Sequence, residues 1–259
     1  MNILNIAAYR FVALSELAEL RAAFKARGEE LGLKGTILIA GEGINLVLAG
    51  AAANVEDFLA VLRADARFAP IEAKRSWSAA QPFRRLLVKV KREIVSMRRP
   101  EINPCELSAP RLAPQELKRW LDEGREIALL DTRNQFEVEL GSFEHALTLG
   151  LKSFSEFPRA TPALAQELKD RPVVTFCTGG IRCEKAAPWL IKQGFREVYQ
   201  LDGGILNYFE QCGGAHFRGE CFVFDERVAL DAGLRQMSAA AGAACSLARD
   251  KCEPGSRSL

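Results

Sequence analysis

A single loop between a predicted strand and a predicted helix carries the residues best suited to chemistry. Cys177 follows the short apolar run Val173–Phe176, and a Gly-Gly pair and Arg182 come next. This order places a thiol where unpaired backbone N–H groups converge at the start of a helix, and both the amides and the helix dipole favour negative charge there. Cysteines in such places have pKa values lowered from about 8.5 to roughly 3.5–7.5. The sequence therefore predicts an accessible, reactive thiolate at Cys177.

The neighbours of this cysteine have predicted roles of their own. The active loop between Cys177 and the helix consists of Thr178, Gly179, Gly180, Ile181 and Arg182. Arg182 adds positive charge beside the sulfur or braces the loop, or else it is an ordinary surface residue. Cys183 is either a resolving thiol for a persulfide or disulfide on Cys177, or a packed core residue. Because the chain has only two histidines, we expect activation by N–H groups and charge and not by a dedicated base.

Two further segments are predicted to support the loop. Asp131 and Arg133 stand at the end of the apolar run 127–131. A carboxylate there can accept loop N–H bonds or pair with an arginine, and we favour this structural role over direct proton transfer. The segment Asp202-Gly203-Gly204 is expected to form a turn into the next helix, because glycine permits positive φ.

Bulk composition sets the broad class. With 259 residues, 48% hydrophobic and 26% charged, the chain is typical of a globular protein of two domains. No signal peptide and no apolar run of about 20 residues is evident, so we expect a cytoplasmic protein without membrane contact. Seven cysteines, an odd number, argue against a complete disulfide framework. We expect no metal site, because six residues separate Cys245 from Cys252 and no histidine is near.

A basic segment stands out from the nearly neutral chain. Between residues 84 and 99 it holds seven arginines and lysines against the single acidic residue Glu93. On a strand, Arg85, Lys89 and Lys91 would share one face. That face is either a solvated surface that discourages edge pairing or a surface that contacts the phosphates of a polyanion. The candidate phosphate-binding residues are Arg84, Arg85, Lys89 and Lys91.

The order of predicted elements divides the chain into regions. The first six predicted elements of residues 1–99 follow the order β-α-β-β-α-β, which is the ferredoxin-like (split βαβ) arrangement of an α+β domain. The predicted elements are a strand at 3–11, a helix at 15–31 capped by Ser15, a hairpin at 35–48, a helix at 52–64, and strands at 71–76 and 84–97. A proline-rich linker follows at 100–113. Residues 114–214 alternate short apolar strands with helices, which predicts an α/β domain with a parallel sheet. Residues 215–259 form an extension, expected to be flexible after 237.

Four landmarks in this second domain resemble the rhodanese superfamily. They are Asp131-Thr132-Arg133, the stretch 141–146, the Cys177–Arg182 loop and Leu201-Asp202-Gly203-Gly204-Ile205. Four residues separate Cys177 from Arg182, as in sulfurtransferase rhodaneses, whereas phosphatase relatives carry one more. The resemblance implies that Cys177 is a nucleophile or persulfide carrier.

The wider chain resembles the bacterial tRNA uridine(34) hydroxylase family. The segments that carry the resemblance are 35–45, 178–185 and 219–228, and it covers roughly residues 1–230. It implies O2-dependent 5-hydroxylation of the wobble uridine, with the tRNA anticodon arm as partner. No cofactor is evident, and O2 would be a co-substrate with an unidentified electron donor. The alternatives are a sulfurtransferase acting on thiosulfate or a persulfide, and a binding module with a vestigial pocket.

Overall fold

The computed structural model describes residues 2–164 and 166–236, which form two five-stranded sheets and two small two-stranded ones. The strands are β1 Ile3–Phe11, β2 Lys34–Ala40, β3 Gly43–Gly50, β4 Ala73–Ser78, β5 Leu86–Val90, β6 Arg111–Leu112, β7 Ala128–Asp131, β8 Gly141–Phe143, β9 Leu147–Thr148, β10 Val173–Phe176, β11 Val198–Leu201, β12 Phe217–Gly219, β13 Cys221–Phe222 and β14 Ala229–Leu230. The helices are α1 Leu17–Glu30, α2 Ala52–Ala64, α3 Pro114–Asp122, α4 Gln135–Val138, α5 Phe157–Ala160, α6 Cys183–Lys192 and α7 Gly204–Cys212.

The N-terminal sheet has the strand order β4-β1-β3-β2-β5. Its first four strands pair antiparallel, and β5 adds a fifth strand parallel to β2. Side chains alternate along each strand, so that Ile37 and Ile39 are buried within the apolar core to which α1 and α2 contribute. Thr36 and Leu38, on the opposite face, line a cleft toward the second domain. The predicted ferredoxin-like domain is confirmed, and one face of its sheet is free to form a site.

Two details of the N-terminal prediction are wrong. The helix α1 begins at Leu17, because Glu16 takes a left-handed conformation (φ 52°), and Ser15 does not cap it. The strand predicted over 84–97 is limited to Leu86–Val90. Beyond it the chain leaves the sheet, since the carboxylate of Glu93 accepts the backbone N–H groups of Met97 and Arg98 at 2.8 and 3.0 Å.

The second sheet has the strand order β6-β11-β10-β7-β9, and all its pairs are parallel. Every residue of its central strands β7 and β10 is buried, because separate apolar clusters cover the two faces. This arrangement confirms the predicted α/β domain with a parallel sheet. The carboxyl ends of β7 and β10 lie side by side, with Asp131 opposite Phe176. A sheet of this kind places ligand sites at that edge.

The C-terminal extension returns to the N-terminal domain. We name residues 221–230 the strap; they include β13, β14 and the turn that connects them. Within the strap, the Arg227 guanidinium donates to the Ser76 hydroxyl at 2.8 Å, and the Glu226 amide donates to the carbonyl of Pro82 at 3.1 Å. The predicted flexible tail after 237, with Cys245 and Cys252, lies outside the described residues. No helix in the described part of the chain is long and apolar enough to cross a membrane.

A buried lysine joins the two domains. Lys185 lies on α6, directly after the active loop, and its side chain is only 1% exposed. Its ammonium donates to carboxylates of Glu42 and Glu93, at 2.8 and 2.7 Å, and to the carbonyl of Val95 at 3.0 Å. Burial raises the pKa of Glu93. The hydrogen bonds from Lys185 and from the Met97 amide lower this pKa by more than burial raises it, so the net shift is downward. The helix behind the loop is therefore fixed to the N-terminal domain.

Candidate active site

The active loop begins at the carboxyl end of β10 and is held from behind by α7. The amides of Ile205 and Leu206 donate to the carbonyls of Cys177 and Thr178, at 2.9 and 3.1 Å. Because these two carbonyls accept hydrogen bonds from α7, they point away from the sulfur. The amides of the loop face the sulfur instead. Gly204 permits the contact, since a Cβ there would collide with the carbonyl oxygen of Cys177. The predicted turn into α7 is confirmed, and Gly203 and Gly204 both have positive φ.

The groups around the Cys177 sulfur stabilise its anionic form. Burial raises its pKa, but the hydrogen bond from Cys183, the charge of Arg182 and the amides of Arg182 and Gly180 outweigh burial and lower the pKa to about 6. The Gly180 amide lies 3.2 Å from the sulfur. Burial and the adjacent Cys177 raise the pKa of Cys183 well above its usual range, so Cys183 remains a thiol and a donor. At neutral pH the thiolate therefore belongs to Cys177.

A cleft between the two domains leads to this sulfur. It has a volume of about 1390 Å³, and its walls are the open face of the N-terminal sheet, the active loop and the strap. Cys177 lines the cleft, yet only 1% of the residue is exposed. The sulfur is thus less exposed than the sequence led us to expect, and the cleft gives a substrate a side from which to approach it.

Arg182 is paired and buried, so the surface-arginine alternative is wrong. It is 7% exposed, and its Nη2 lies 2.8 Å and 3.0 Å from the two carboxylate oxygens of Glu137. Glu137, on α4, is fully buried and also accepts the Thr178 hydroxyl at 3.4 Å. The other guanidinium nitrogen of Arg182, Nη1, is buried without a hydrogen-bond partner in the described structure. The ion pair with Glu137 holds the Arg182 guanidinium beside the sulfur and leaves Nη1 without an acceptor.

Asp131 and Arg133 form a second pair, behind the loop. The Arg133 Nε and Nη2 donate to the two oxygens of Asp131, at 2.9 and 2.6 Å, and both side chains have no exposed surface. Asp131 also accepts the Arg133 amide and the Ser142 hydroxyl, while Arg133 donates to the carbonyl of Gly141. Neither residue is among the described residues that line the cleft. Their contacts tie β7 to β8.

Tyr9 of the N-terminal sheet also reaches the active loop. Its hydroxyl donates to Glu184 at 3.1 Å, and Arg111 donates to the same oxygen of Glu184 at 2.8 Å. Burial and Glu184 raise the pKa of Tyr9 well above its usual range, so the phenol stays protonated. Gly180 (φ +96°) makes this approach possible, because a Cβ there would lie 2.9 Å from the hydroxyl oxygen.

Sequence reasoning missed these partners of the loop. Asn134 and Glu137 have the spacing of a helix start, which could have been recognised, but nothing local signals that Glu137 meets Arg182. Tyr9 and Arg111 stand alone in the sequence, outside any motif. No group of three or more His, Cys, Asp or Glu side chains within residues 2–164 and 166–236 could hold a metal ion.

The predicted basic residues lie on and beside the edge strand β5. Arg84 is 88% exposed at its side chain and pairs with Glu226 of the strap at 3.0 Å. Register with β2 puts Lys89 beside Leu38, on the cleft side of the sheet. Among the described residues lining the cleft, however, none of Arg84, Arg85, Lys89 and Lys91 occurs. The cations that do line it come from separate segments: Arg10, Lys74, Arg111, Lys152 and Arg182.

Comparison with known proteins agrees with this architecture. Residues 3–94 match the domain described as UPF0176 acylphosphatase like, and residues 113–211 match the rhodanese-like domain. A tRNA uridine(34) hydroxylase of Variovorax paradoxus (strain S110) is 56% identical over 247 residues, which cover 93% of this chain and 94% of that relative. The chain belongs to the tRNA uridine(34) hydroxylase family.

Other members of the family are similarly close. The proteins of that name from Cupriavidus necator (strain H16) and Bordetella petrii are 54% and 53% identical. The alignments cover 90% and 95% of this chain, and 85% and 98% of the respective relatives. The family resemblance predicted from the active loop and the N-terminal hairpin is confirmed.

Proposed function

We propose that this protein hydroxylates carbon 5 of uridine 34 in tRNA in an O2-dependent reaction that uses the Cys177 thiolate. One observation carries the proposal: a chain of this family holds Cys177 in an interdomain cleft, with the Gly180 amide 3.2 Å from the sulfur and Arg182 in the same lining. O2 is the co-substrate, and we propose no bound cofactor, so the electrons come from a separate donor. Arg182 supplies positive charge beside the sulfur, and Glu137 positions Arg182.

The proposed substrate contact is the anticodon arm. Bases of a single-stranded loop can leave their stack at low cost and enter a pocket. At about 1390 Å³ the cleft is larger than the 300–1,000 Å³ or so of common small-molecule pockets, which gives room for a nucleotide and its neighbours. Arg10, Lys74 and Lys152 line it and would contact phosphates, which supply most of the affinity for nucleic acids.

The basic residues on and beside the edge strand β5 have a different role from the cations of the cleft. Arg84, Arg85, Lys89 and Lys91 lie outside the cleft lining, so we propose that they contact the backbone of the stem beyond the loop. Such contacts orient the arm without selecting its sequence.

The test uses cells that lack the native gene and receive it again on a plasmid. Wild type should restore 5-hydroxyuridine at position 34, measured by mass spectrometry of digested tRNA, and the product should fall when O2 is withheld. Cys177→Ala should restore none. Cys212→Ala, in a half-buried cysteine outside the cleft lining, is the matched control and should behave as wild type. Absence of 5-hydroxyuridine with wild type, or full restoration by Cys177→Ala, would overturn the proposal.

Sulfane-sulfur transfer is the second candidate, favoured by the short loop whose Gly180 amide lies 3.2 Å from the sulfur. The Cys177 thiolate would attack the outer sulfur of thiosulfate, forming a persulfide and releasing sulfite, and cyanide would then take that sulfur as thiocyanate and restore the thiolate. Thiocyanate that depends on Cys177, from a protein that restores no 5-hydroxyuridine, would establish this candidate in place of the first.

A further inference from the structure

The strap brings an exposed aromatic ring to the active site. Phe224 is 46% exposed and lines the cleft together with the active loop. We propose that Phe224 and the free Nη1 of Arg182 form a uracil-binding site, in which the ring stacks on the base and the guanidinium donates to a base carbonyl. This inference rests on the proposed function and specifies how the same cleft holds its substrate.

The position of the Phe224 ring is fixed by its neighbours. Phe222 meets it in a T-shaped contact, with centroids 5.0 Å apart, and Phe222 in turn packs against Phe136 at 5.1 Å. The Arg182 guanidinium carbon lies 5.6 Å from the Phe224 centroid. Phe222 is buried, whereas Phe224 keeps nearly half of its surface open. An open ring on a packed support is a suitable platform for a planar base.

The strap itself is anchored to both domains. The Thr178 hydroxyl donates to the carbonyl of Phe222 at 3.4 Å, which connects the strap to the active loop. Arg227 pairs with Asp225 at 2.6 Å and donates to Ser76 of the N-terminal domain. Because these contacts order the strap in the free protein, binding a base there costs little further conformational entropy.

The second half of the site is a buried donor without an acceptor. Arg182 is more than nine-tenths buried, and its Nη1 has no partner in the described structure. A buried N–H without an acceptor is unfavourable, so a ligand that supplies an oxygen there gains a charge-assisted hydrogen bond. Arg133 also has an unpartnered Nη1, but Arg133 does not line the cleft in the described structure. Of these two arginines, Arg182 is therefore the one that can meet a substrate.

The two halves together select a ring with a carbonyl on its edge. Uracil offers a flat face for Phe224 and carbonyl oxygens at positions 2 and 4. Cytosine carries an amino group at position 4, so a donor would face the donor of Arg182. We place the Arg182 guanidinium at the position 4 carbonyl, so the site prefers uracil to cytosine.

The experiment measures binding of anticodon stem–loop RNAs that carry U or C at position 34. Phe224→Leu should weaken binding of the U34 RNA by roughly ten- to a hundred-fold, since it removes a stacking ring. Phe224→Tyr should restore binding to within about three-fold, because a phenol ring also stacks. Trp77→Leu changes an exposed aromatic outside the cleft lining and should bind as wild type. Arg182→Met should bring the preference for U34 over C34 close to one.

Two results would overturn the uracil site: Phe224→Leu binding as tightly as Trp77→Leu, or wild type binding the two RNAs equally. The fate of the proposed function is measured separately, by 5-hydroxyuridine in complemented cells. If wild type restores 5-hydroxyuridine but Phe224→Leu matches it in binding and product, the uracil site alone is wrong. If wild type restores none, the proposed function is wrong whatever the binding shows.

Discussion

Two buried ion pairs in the second domain have the same chemistry and different positions. Asp131–Arg133 and Glu137–Arg182 each join a carboxylate to a guanidinium, with closest distances of 2.6 and 2.8 Å. The first is fully enclosed, and its further hydrogen bonds go to β8. In the second pair, Arg182 lines the cleft and has Cys177 as a neighbour. Burial of an ion pair therefore does not by itself distinguish a structural role from a chemical one. The groups that surround the pair make that distinction.

Asp131→Ala should have the largest effect on stability. It leaves the Arg133 charge buried without its partner, and breaking a buried pair in this way costs about 3–5 kcal/mol. The measurement is the free energy of unfolding in urea. Asp170→Ala, which removes an exposed partner of Arg196, is the control and should cost less than about 1 kcal/mol. Equal losses in the two variants would show that the enclosed pair does not stabilise the domain.

Arg182→Met should act on the thiol. The pKa of Cys177 is about 6, lowered in part by the Arg182 charge, so removing that charge raises it. The rate of alkylation by iodoacetamide as a function of pH measures this: the midpoint should move upward from about 6, and the rate at pH 7 should fall by up to roughly ten-fold. Lys152→Met, at another cleft cation, should leave the midpoint unchanged. An unmoved midpoint in Arg182→Met would show that the second pair is structural like the first.

Thr178→Val should give the smallest effect. It removes a hydroxyl that donates to Glu137 and to the Phe222 carbonyl, both at 3.4 Å, and should cost about 0.5–1.5 kcal/mol of unfolding free energy. Thr161→Val, at a buried hydroxyl outside the cleft lining that donates to the Pro158 carbonyl and accepts the Trp189 indole N–H, should cost at least as much. Only Thr178→Val should lower 5-hydroxyuridine in complemented cells. If both variants lowered it equally, the loss would follow stability and not the loop.

Local patterns were sufficient for most of the fold. The bounds of β1 and α2 agree with the alternating and helical patterns of their segments, because both elements bury one regular face. The strand predicted over 84–97 failed because tertiary contacts decide where it ends. Glu93 binds backbone N–H groups nearby and Lys185 of the other domain, a contact that no local pattern signals.

The site was predictable only where its residues are consecutive. Cys177, the loop glycines and Arg182 follow one another, so their order alone indicated a thiolate held by amides. Glu137, Tyr9 and Phe224 are single residues from three other parts of the chain, and only the fold brings them to the loop. The basic segment shows the converse, since its charges are adjacent in sequence yet outside the cleft lining.

The lysine that joins the domains has a consequence for the RNA that we propose enters the cleft. Moving the domains apart would take a buried ammonium away from Glu42, Glu93 and the Val95 carbonyl together, at a cost of several kcal/mol. We therefore expect the gap between the walls to keep its width and the RNA to adjust on binding. An unpaired strand is pliable enough to make this adjustment, whereas a paired stem is not. We expect the cleft to admit flexible, unpaired RNA and to exclude stiff, paired RNA before any hydrogen bond to a base forms.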